Sequence, residues 1–166
     1  MAKVAIVTGA SRGLGKGCAS VLASEAGYTV YATGRTTADL EKLAAECAAA
    51  GKGKIIPCSL DQKDDDAVQA FVSKVKAEAG KVDLLVNSAY QGLEAQKPYF
   101  AKRFYERPIA EFDAHMNVGV RSSYVMASLV APIMVEAKQG LIVQISSTGS
   151  AQYLFNTPYG VAHAAM

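Results

Sequence analysis

Short apolar runs that alternate with helical patterns constrain the fold of this chain more than any other feature. The runs lie at residues 4–8, 28–33, 54–58, 82–86 and 141–146. Between them, apolar residues recur at helical spacing in three sets: Leu14, Cys18, Val21 and Leu22; Leu40, Leu43, Ala44 and Cys47; and Val68, Phe71, Val72 and Val75. Strands that are apolar along nearly their whole length and are separated by amphipathic helices are typical of a parallel sheet covered on both sides. We therefore predict an α/β fold, a doubly wound Rossmann-like parallel sheet in three αβα layers.

The second half of the chain contains two further helical patterns. One runs from about Ile109 to Glu136, and another begins near Tyr159. Residues 90–108 carry aromatic side chains among charges and have no clear period. Because loops at the carboxyl ends of parallel strands face the ligand crevice, these aromatic residues either line a substrate pocket or pack the loop onto the domain.

Size and charge exclude several classes of protein. The 166 residues are 51% hydrophobic and 19% charged, which indicates one globular domain over residues 1–166. A net charge of +2 without a clustered basic face argues against nucleic acid and anionic membranes as partners. Since no apolar run approaches a membrane span and no leader pattern opens the chain, we expect no membrane span and a cytoplasmic protein.

Neither the cysteines nor the acidic residues have the spacing of a metal site. Cys18, Cys47 and Cys58 fall on apolar positions without C-x-x-C spacing, which favours buried reduced thiols. The acidic run at residues 64–66 is explained by the preference of helix N-termini for negative charge. We predict that the protein has no metal site.

A glycine-rich turn follows the first run. Residues 8–15 read T-G-A-S-R-G-L-G, directly before the first amphipathic helix. A turn in this place must let the backbone approach a pyrophosphate closely and direct helix N–H groups at it, which glycine allows. We therefore predict that a dinucleotide is bound by six residues of the turn: Gly9, Ser11, Arg12, Gly13, Leu14 and Gly15.

The end of the second run indicates which dinucleotide is bound. A free ribose 2′-hydroxyl is usually held by a carboxylate about 20 residues past the glycine turn, whereas a 2′-phosphate needs positive charge there. This chain reads Thr33-Gly34-Arg35, without an acid, and Arg12 should project toward the same place. Two guanidinium groups converging on one phosphate favour NADP(H) as cofactor. The alternative is that Arg35 is a solvated loop residue.

The motif T-G-x-x-x-G-x-G in this position resembles the signature of the short-chain dehydrogenase/reductase family, whose other motifs follow in order. Asp61 matches the aspartate that contacts the adenine, residues 87–90 (Asn-Ser-Ala-Tyr) match the N-N-A-G element with two changes, and Asn117 matches the catalytic asparagine. Residues 140–147 match the strand that leads to the catalytic serine, and Tyr159 matches the tyrosine of Y-x-x-x-K. The stretches at 116–119 and 152–160 are most similar to the dehydrogenase/reductase member 1 subgroup.

The resemblance implies an oxidoreductase that interconverts carbonyl and alcohol groups of a small-molecule substrate by hydride transfer. It implies Tyr159 as the acid/base, Asn117 as a relay residue, and Asn87 among the cofactor-binding residues. The serine is ambiguous, because counting forward from Gly140 selects Ser147 and counting back from Tyr159 selects Ser146. Because side chains on a strand alternate between faces, strand register favours Ser147.

The chain departs from the family pattern where the lysine of Y-x-x-x-K is expected, because this position holds His163. A lysine ammonium is charged at pH 7, whereas an imidazole is mostly neutral there. We therefore expect impaired turnover. Two alternatives are that His163 is itself a proton donor, and that the chain is a nucleotide-binding pseudoenzyme or interaction module. The other histidine, His115, lies in the long helix and is expected to be structural.

Family members continue with two further strands that this sequence does not contain. We therefore expect the fifth strand to form an exposed sheet edge. A self-paired edge in a homo-oligomer, a partner segment and truncation of a longer protein each explain it. The last helix is short, so we expect Tyr159 to be poorly held.

Overall fold

In the part of the chain that the structure describes, five parallel strands form one sheet. The computed structural model describes residues 2–49 and 51–166 and, within them, the side chains of all residues except 92 and 93. The strands are β1 (Val4–Val7), β2 (Thr29–Gly34), β3 (Lys54–Ser59), β4 (Leu84–Asn87) and β5 (Leu141–Gln144). Their order is β3-β2-β1-β4-β5, and every neighbouring pair is parallel. The predicted doubly wound sheet is confirmed.

Within the described residues, seven α-helices connect and cover the strands. They are α1 (Gly13–Ser24), α2 (Thr37–Ala48), α3 (Asp65–Ala79), α4 (Gly92–Gln96), α5 (Ile109–His115), α6 (Ser122–Glu136) and α7 (Thr157–Ala165). A π-helical turn, Met116–Arg121, joins α5 to α6, so the predicted long helix is continuous but locally widened. Short 3₁₀ turns lie at Lys97–Tyr99, Phe104–Glu106 and Thr148–Ser150.

Two apolar clusters, one on each face of the sheet, form the core. Helices α1 and α2 pack on one face, where Leu40 and Leu43 are fully buried. Helices α3 and α6 pack on the other, where Val75 and Met126 are fully buried. The predicted apolar faces of α2 and α3 and the three-layer arrangement are thereby confirmed.

The predicted buried face of α1 is correct only in part: Cys18 and Leu22 are half-buried against the core, but the face that is fully buried is shifted by about one residue. The helix buries Gly15, Ala19 and Ala23, whereas Leu14 and Val21 are 61% and 50% exposed. Residues without bulky side chains let the helix backbone approach the sheet closely. The packing of small residues has therefore overridden the apolar pattern.

The acidic run and the thiols behave as simple structural features. Asp64 caps α3 by accepting a hydrogen bond from the Ala67 amide at 3.0 Å. Cys47 and Cys58 are buried and Cys18 is half-buried, and all three are free thiols. Within residues 2–49 and 51–166, no group of three His, Cys, Asp or Glu side chains has the arrangement of a metal site.

The helical stretch Ile109–Glu136 is long and apolar enough to cross a membrane by length and composition. Its residues Met126, Val130 and Ile133 lie in the core against α3 and the sheet. Core helices pass the same test, so this stretch does not establish a membrane span.

Strand β5 forms one edge of the sheet, as expected. Leu141 and Ile142 on this strand are 58% and 39% exposed. Because consecutive residues point to opposite faces, both faces of the strand carry exposed apolar surface.

Candidate active site

A crevice of about 640 Å³ opens at the carboxyl ends of the strands. It lies where the chain order reverses between β1 and β4, the position at which open α/β sheets bind ligands. Its volume is in the range of small-molecule and cofactor pockets. Most of the residues predicted from the sequence line it: Gly9, Ser11, Arg12, Gly13, Leu14, Gly15, Arg35, Asp61, Ser147, Tyr159 and His163.

The glycine turn forms the floor of the crevice between β1 and α1. A Cβ on Gly15 would lie 2.4 Å from the carbonyl oxygen of Gly9, so only glycine fits there. Gly9 has a φ of 66°, and a Cβ on it would meet the Ala89 backbone at 2.8 Å. The first turn of α1 therefore lies directly against the crevice, where its N–H groups lack intrahelical partners. This cradle fits a dinucleotide pyrophosphate.

Among the described residues, two arginines and three carboxylates line the crevice: Arg12, Arg35, Asp39, Asp61 and Glu94. The turn meets the end of β2 through the Ala10 amide, which donates to the Thr33 carbonyl at 2.8 Å. The Arg12 guanidinium, however, is paired with Glu94 at 3.2 Å. Lys97 and then Arg12 hold the pKa of Glu94 below its ordinary value, so this carboxylate is ionised near neutral pH. The two arginines thus share the crevice, but Arg12 is engaged by a carboxylate.

The tyrosine and one of the two serines meet at the crevice wall. The Tyr159 hydroxyl donates to Ser147 Oγ at 2.8 Å. Ser146 Oγ lies instead 3.3 Å from His163 Nδ1 and donates to the His163 carbonyl oxygen at 2.9 Å. The geometry therefore brings Ser147, rather than Ser146, to the tyrosine.

Tyr159 is firmly held, contrary to the expectation for so short a helix. Its side chain is 6% exposed, and its amide donates to Asn156 Oδ1 at 2.8 Å, which caps α7. Asn156 Nδ2 in turn donates to Gln96 Oε1 at 2.7 Å, and both amide side chains are buried. The Phe155 ring meets the Tyr159 ring edge-on at 5.0 Å. Contacts from residues outside α7 thus hold Tyr159 in place, although the helix is short.

Sequence reasoning missed the clamp formed by Gln96 and Asn156. The signal for Asn156 was present, because an asparagine followed by Thr157-Pro158 is typical of a helix N-terminus. Gln96 carries no comparable signal, since its partner is 60 residues away.

His163 lies one helical turn after Tyr159, and the two ring centroids are 4.1 Å apart. The imidazole is 6% exposed, and burial lowers its pKa from the ordinary value of 6.5. It is therefore neutral at pH 7 and supplies no permanent positive charge to Tyr159. Its Nε2 atom is buried without a hydrogen-bond partner among the described residues.

Two predicted residues are not brought to the crevice lining, and these expectations need correction. Asn117 is exposed and lines a separate surface depression with Lys63, Asp65 and Arg121. The π-helical turn, with non-helical angles at Val118, buries Val118 and Gly119 and leaves Asn117 outside. Asn87 is buried behind the crevice, where its Nδ2 donates to the Ser123 carbonyl at 3.2 Å. It joins β4 to α6.

The aromatic residues of the loop follow the two alternatives only in part: Tyr90 lines the crevice, Phe100 packs on another segment, and Phe104 and Tyr105 do neither. Phe100 packs on Phe155 at 5.7 Å, whereas Phe104 and Tyr105 are 68% and 63% exposed.

The fold agrees with comparisons to known proteins. The family model for short chain dehydrogenase matches residues 3–166. The human protein named dehydrogenase/reductase SDR family member 1 is 44% identical over 164 residues, covering 98% of this chain and 52% of its own length. The chain thus spans about half the length of that relative.

Two solved structures show the same likeness. A metagenomic short-chain oxidoreductase in complex with NADP is 34% identical, with a TM-score of 0.88, over 98% of this chain and 71% of its own. A 7α-hydroxysteroid dehydrogenase in complex with NADH and 7-oxo glycochenodeoxycholic acid is 29% identical, with a TM-score of 0.85, over 98% and 60%. This chain is a member of the short-chain dehydrogenase family.

Proposed function

We propose that this chain binds NADP(H) in the crevice and interconverts carbonyl and alcohol groups of a small molecule, with Tyr159 as the acid/base. The observation that carries the proposal is the 2.8 Å hydrogen bond between Tyr159 and Ser147 in the wall of the crevice that begins at the glycine turn. One crevice thus joins a phosphate cradle to a pair of converging hydroxyl groups.

The choice of NADP(H) over NAD(H) rests on charge. Arg12 and Arg35 line the crevice near the end of β2, where an acid would be expected for a free 2′-hydroxyl. A guanidinium forms charge-assisted, bidentate contacts with a phosphate. The two similar proteins described above were solved with NADP and with NADH, so family membership alone does not select between them.

The proposed chemistry divides between the cofactor and the two hydroxyl side chains. A nicotinamide cofactor held by the glycine turn and the arginines would supply or accept the hydride at the substrate carbon. Ser147 and Tyr159 hold the substrate oxygen between their hydroxyl groups, and Tyr159 gives its proton to that oxygen when an alcohol forms. In the reverse direction Tyr159 takes the proton back. Because His163 is neutral at pH 7, Tyr159 works without a neighbouring cation and turnover is slow.

A second candidate function is nucleotide binding without turnover. Two observations favour it: His163 is a buried neutral group where the family has a lysine, and Asn117 lies outside the crevice. Such a pseudoenzyme retains the glycine turn and the arginines but lacks competent proton transfer.

One experiment separates the two candidates. The folded protein is titrated with NADPH, and the same sample is then assayed for NADPH oxidation with a panel of aldehydes and ketones. Carbonyl-dependent oxidation that Tyr159→Phe abolishes while NADPH binding persists supports the enzyme. NADPH binding without oxidation supports the pseudoenzyme, and absence of binding contradicts both.

A further inference from the structure

A line of buried polar side chains runs from the loop after α4 to the crevice wall. It begins at Arg107, which pairs with Glu111 at 2.5 Å, and the two side chains are 4% and 0% exposed. Arg107 also donates to the carbonyl oxygens of Lys102 and Phe100, each at 3.2 Å. Burying an ion pair costs desolvation energy and is weak support for stability by itself. The line therefore calls for a role other than holding the fold together.

The line continues through His115, which is fully buried on the same face of α5 as Glu111. His115 Nε2 lies 3.9 Å from Glu111 Oε1, and His115 Nδ1 is hydrogen-bonded to the hydroxyl of Tyr90. Burial lowers the pKa of His115 to about 4, so the imidazole is neutral. At 3.9 Å, Nε2 makes no hydrogen bond to the Glu111 carboxylate, and it has no other partner among the described residues. We assign the proton of the neutral ring to Nε2, so that Nδ1 accepts from the Tyr90 hydroxyl. The tyrosine hydroxyl is fixed in one direction.

Tyr90 is the last residue of this line, and it packs against Tyr159. The rings of Tyr90 and His115 both meet the Tyr159 ring edge-on, with centroids 6.4 and 6.3 Å away. The Tyr90 ring also contacts His163 at 5.0 Å. Tyr159 is thereby enclosed by rings, while its hydroxyl is directed to Ser147.

Tyr90 is itself poorly suited to proton transfer. Burial, and then the neighbouring Tyr159 and Glu111, raise its pKa above the ordinary value, so it keeps its proton. Its hydroxyl is engaged by His115 and not by Tyr159. We therefore consider Tyr90 for a role in positioning a neighbouring side chain rather than in proton transfer.

We propose that Tyr90, oriented by its hydrogen bond to the buried His115, is a positioning residue for Tyr159. The directional hydrogen bond to His115 fixes the Tyr90 ring, and the ring in turn fixes the angle at which Tyr159 reaches Ser147. The proposal deepens the proposed function and rests on it for its catalytic meaning. The positioning itself exists without cofactor or substrate.

The test is the position of Tyr159 read by nuclear magnetic resonance. The protein is prepared with ¹³C at the tyrosine Cζ atoms, and the Tyr159 signal is assigned with Tyr159→Phe. Ser147→Ala defines the shift of this signal when the hydrogen bond to Ser147 is lost. Tyr90→Phe keeps the ring but removes the hydroxyl, and we expect it to move the Tyr159 signal toward the Ser147→Ala position. Tyr124→Phe, on a 74% exposed tyrosine, is the matched control and leaves the signal in place.

A second variant separates positioning from stability. Tyr90→Phe leaves a buried imidazole nitrogen without a partner, so it also lowers the melting temperature. Tyr90→Phe/His115→Phe removes both polar partners and regains much of that stability. The proposal expects the Tyr159 signal to stay displaced in the double variant. The proposal is overturned if the Tyr159 signal of Tyr90→Phe remains at the wild-type position. It is also overturned if, in the double variant, the Tyr159 signal returns to the wild-type position as the melting temperature recovers.

Kinetics then connects the geometry to turnover. In Tyr90→Phe we expect kcat to fall by about 10- to 100-fold, as a misplaced reacting group does, with the KM for NADPH unchanged. A displaced Tyr159 signal in a protein that never oxidises NADPH contradicts the proposed function but not the positioning. An unmoved signal in an active enzyme contradicts the positioning but not the proposed function.

Discussion

At the scale of single residues, the ion pair with Glu94 limits the availability of Arg12 for binding a ligand phosphate. Its carboxylate is ionised, lines the same crevice and holds the Arg12 guanidinium at 3.2 Å. A 2′-phosphate must compete with this carboxylate for Arg12, and it is also repelled by it. Glu94 therefore opposes the NADP(H) preference that Arg12 and Arg35 favour.

We predict that Glu94→Gln tightens NADPH binding by about two- to fivefold, the range expected for releasing Arg12 from one exposed ion pair. The variant also removes the ion pair between Glu94 and Lys97. NADH lacks the 2′-phosphate, so its affinity should change less. The measurement is a fluorescence titration with each cofactor. Glu136→Gln, which removes a carboxylate paired with Lys76 on α3, is the matched control. Equal gains for NADPH and NADH would show that Arg12 does not receive the 2′-phosphate.

The residue at position 163 determines the charge next to Tyr159. His163→Lys places a permanent cation one helical turn from Tyr159, so we expect NADPH oxidation at pH 7 to rise by about tenfold or more. Ala165→Lys adds the same charge on an exposed position of α7 and is the control. If His163→Lys folds, binds NADPH and shows no gain over the control, the lack of a cation is not what limits turnover.

At the scale of elements, local irregularities decide which side chains reach the site. The residue motifs selected Ser147 and Tyr159, and the structure brings their hydroxyl groups to 2.8 Å from each other. They did not place Asn117, because a π-helical turn shifts the face of the long helix at that point. Such a turn has no clear signature in residues 116–121. The Tyr90–His115 contact was also beyond sequence reasoning, because it depends on how two distant elements pack.

The burial of His115 on α5 makes the stability of the fold depend on pH. Its pKa is about 4 in the folded state, below the ordinary value of 6.5, so the unfolded chain binds more protons between these values. Stability is therefore full above about pH 7 and falls as the pH drops toward 4. His163 is shifted in the same direction and adds to the effect.

We predict that the free energy of unfolding falls by about 2 kcal/mol or more between pH 7 and pH 5. Urea unfolding at the two pH values measures it. His115→Gln cannot titrate but can still accept a hydrogen bond from Tyr90, so its stability should depend less on pH. A wild-type protein equally stable at both values would mean that His115 is not buried as a neutral group.

At the scale of the whole molecule, the sequence predicts the sheet more fully than the site. All five strands, the faces of α2 and α3 and the glycine turn follow from periodicity and from glycine at fixed positions. The face of α1 followed only in part, because small residues are the fully buried ones, with Cys18 and Leu22 half-buried beside them. The clamp of Asn156 and Gln96 on α7 did not follow, because it joins segments far apart in the chain.

The architecture places every part of the proposed function at one end of the sheet. The glycine turn, the arginines and the Tyr159–Ser147 pair all line one crevice at the carboxyl ends of the strands. The proposed function therefore depends first on the binding of a nicotinamide dinucleotide in that crevice.

Titration of the folded wild-type protein with NADPH and, separately, NADH tests this most directly. We expect saturable one-to-one binding of NADPH. NADPH should bind tighter than NADH by about tenfold or more, because the arginines form charge-assisted contacts with the 2′-phosphate. Arg35→Ala should reduce that difference. A folded protein that binds neither dinucleotide would contradict the account.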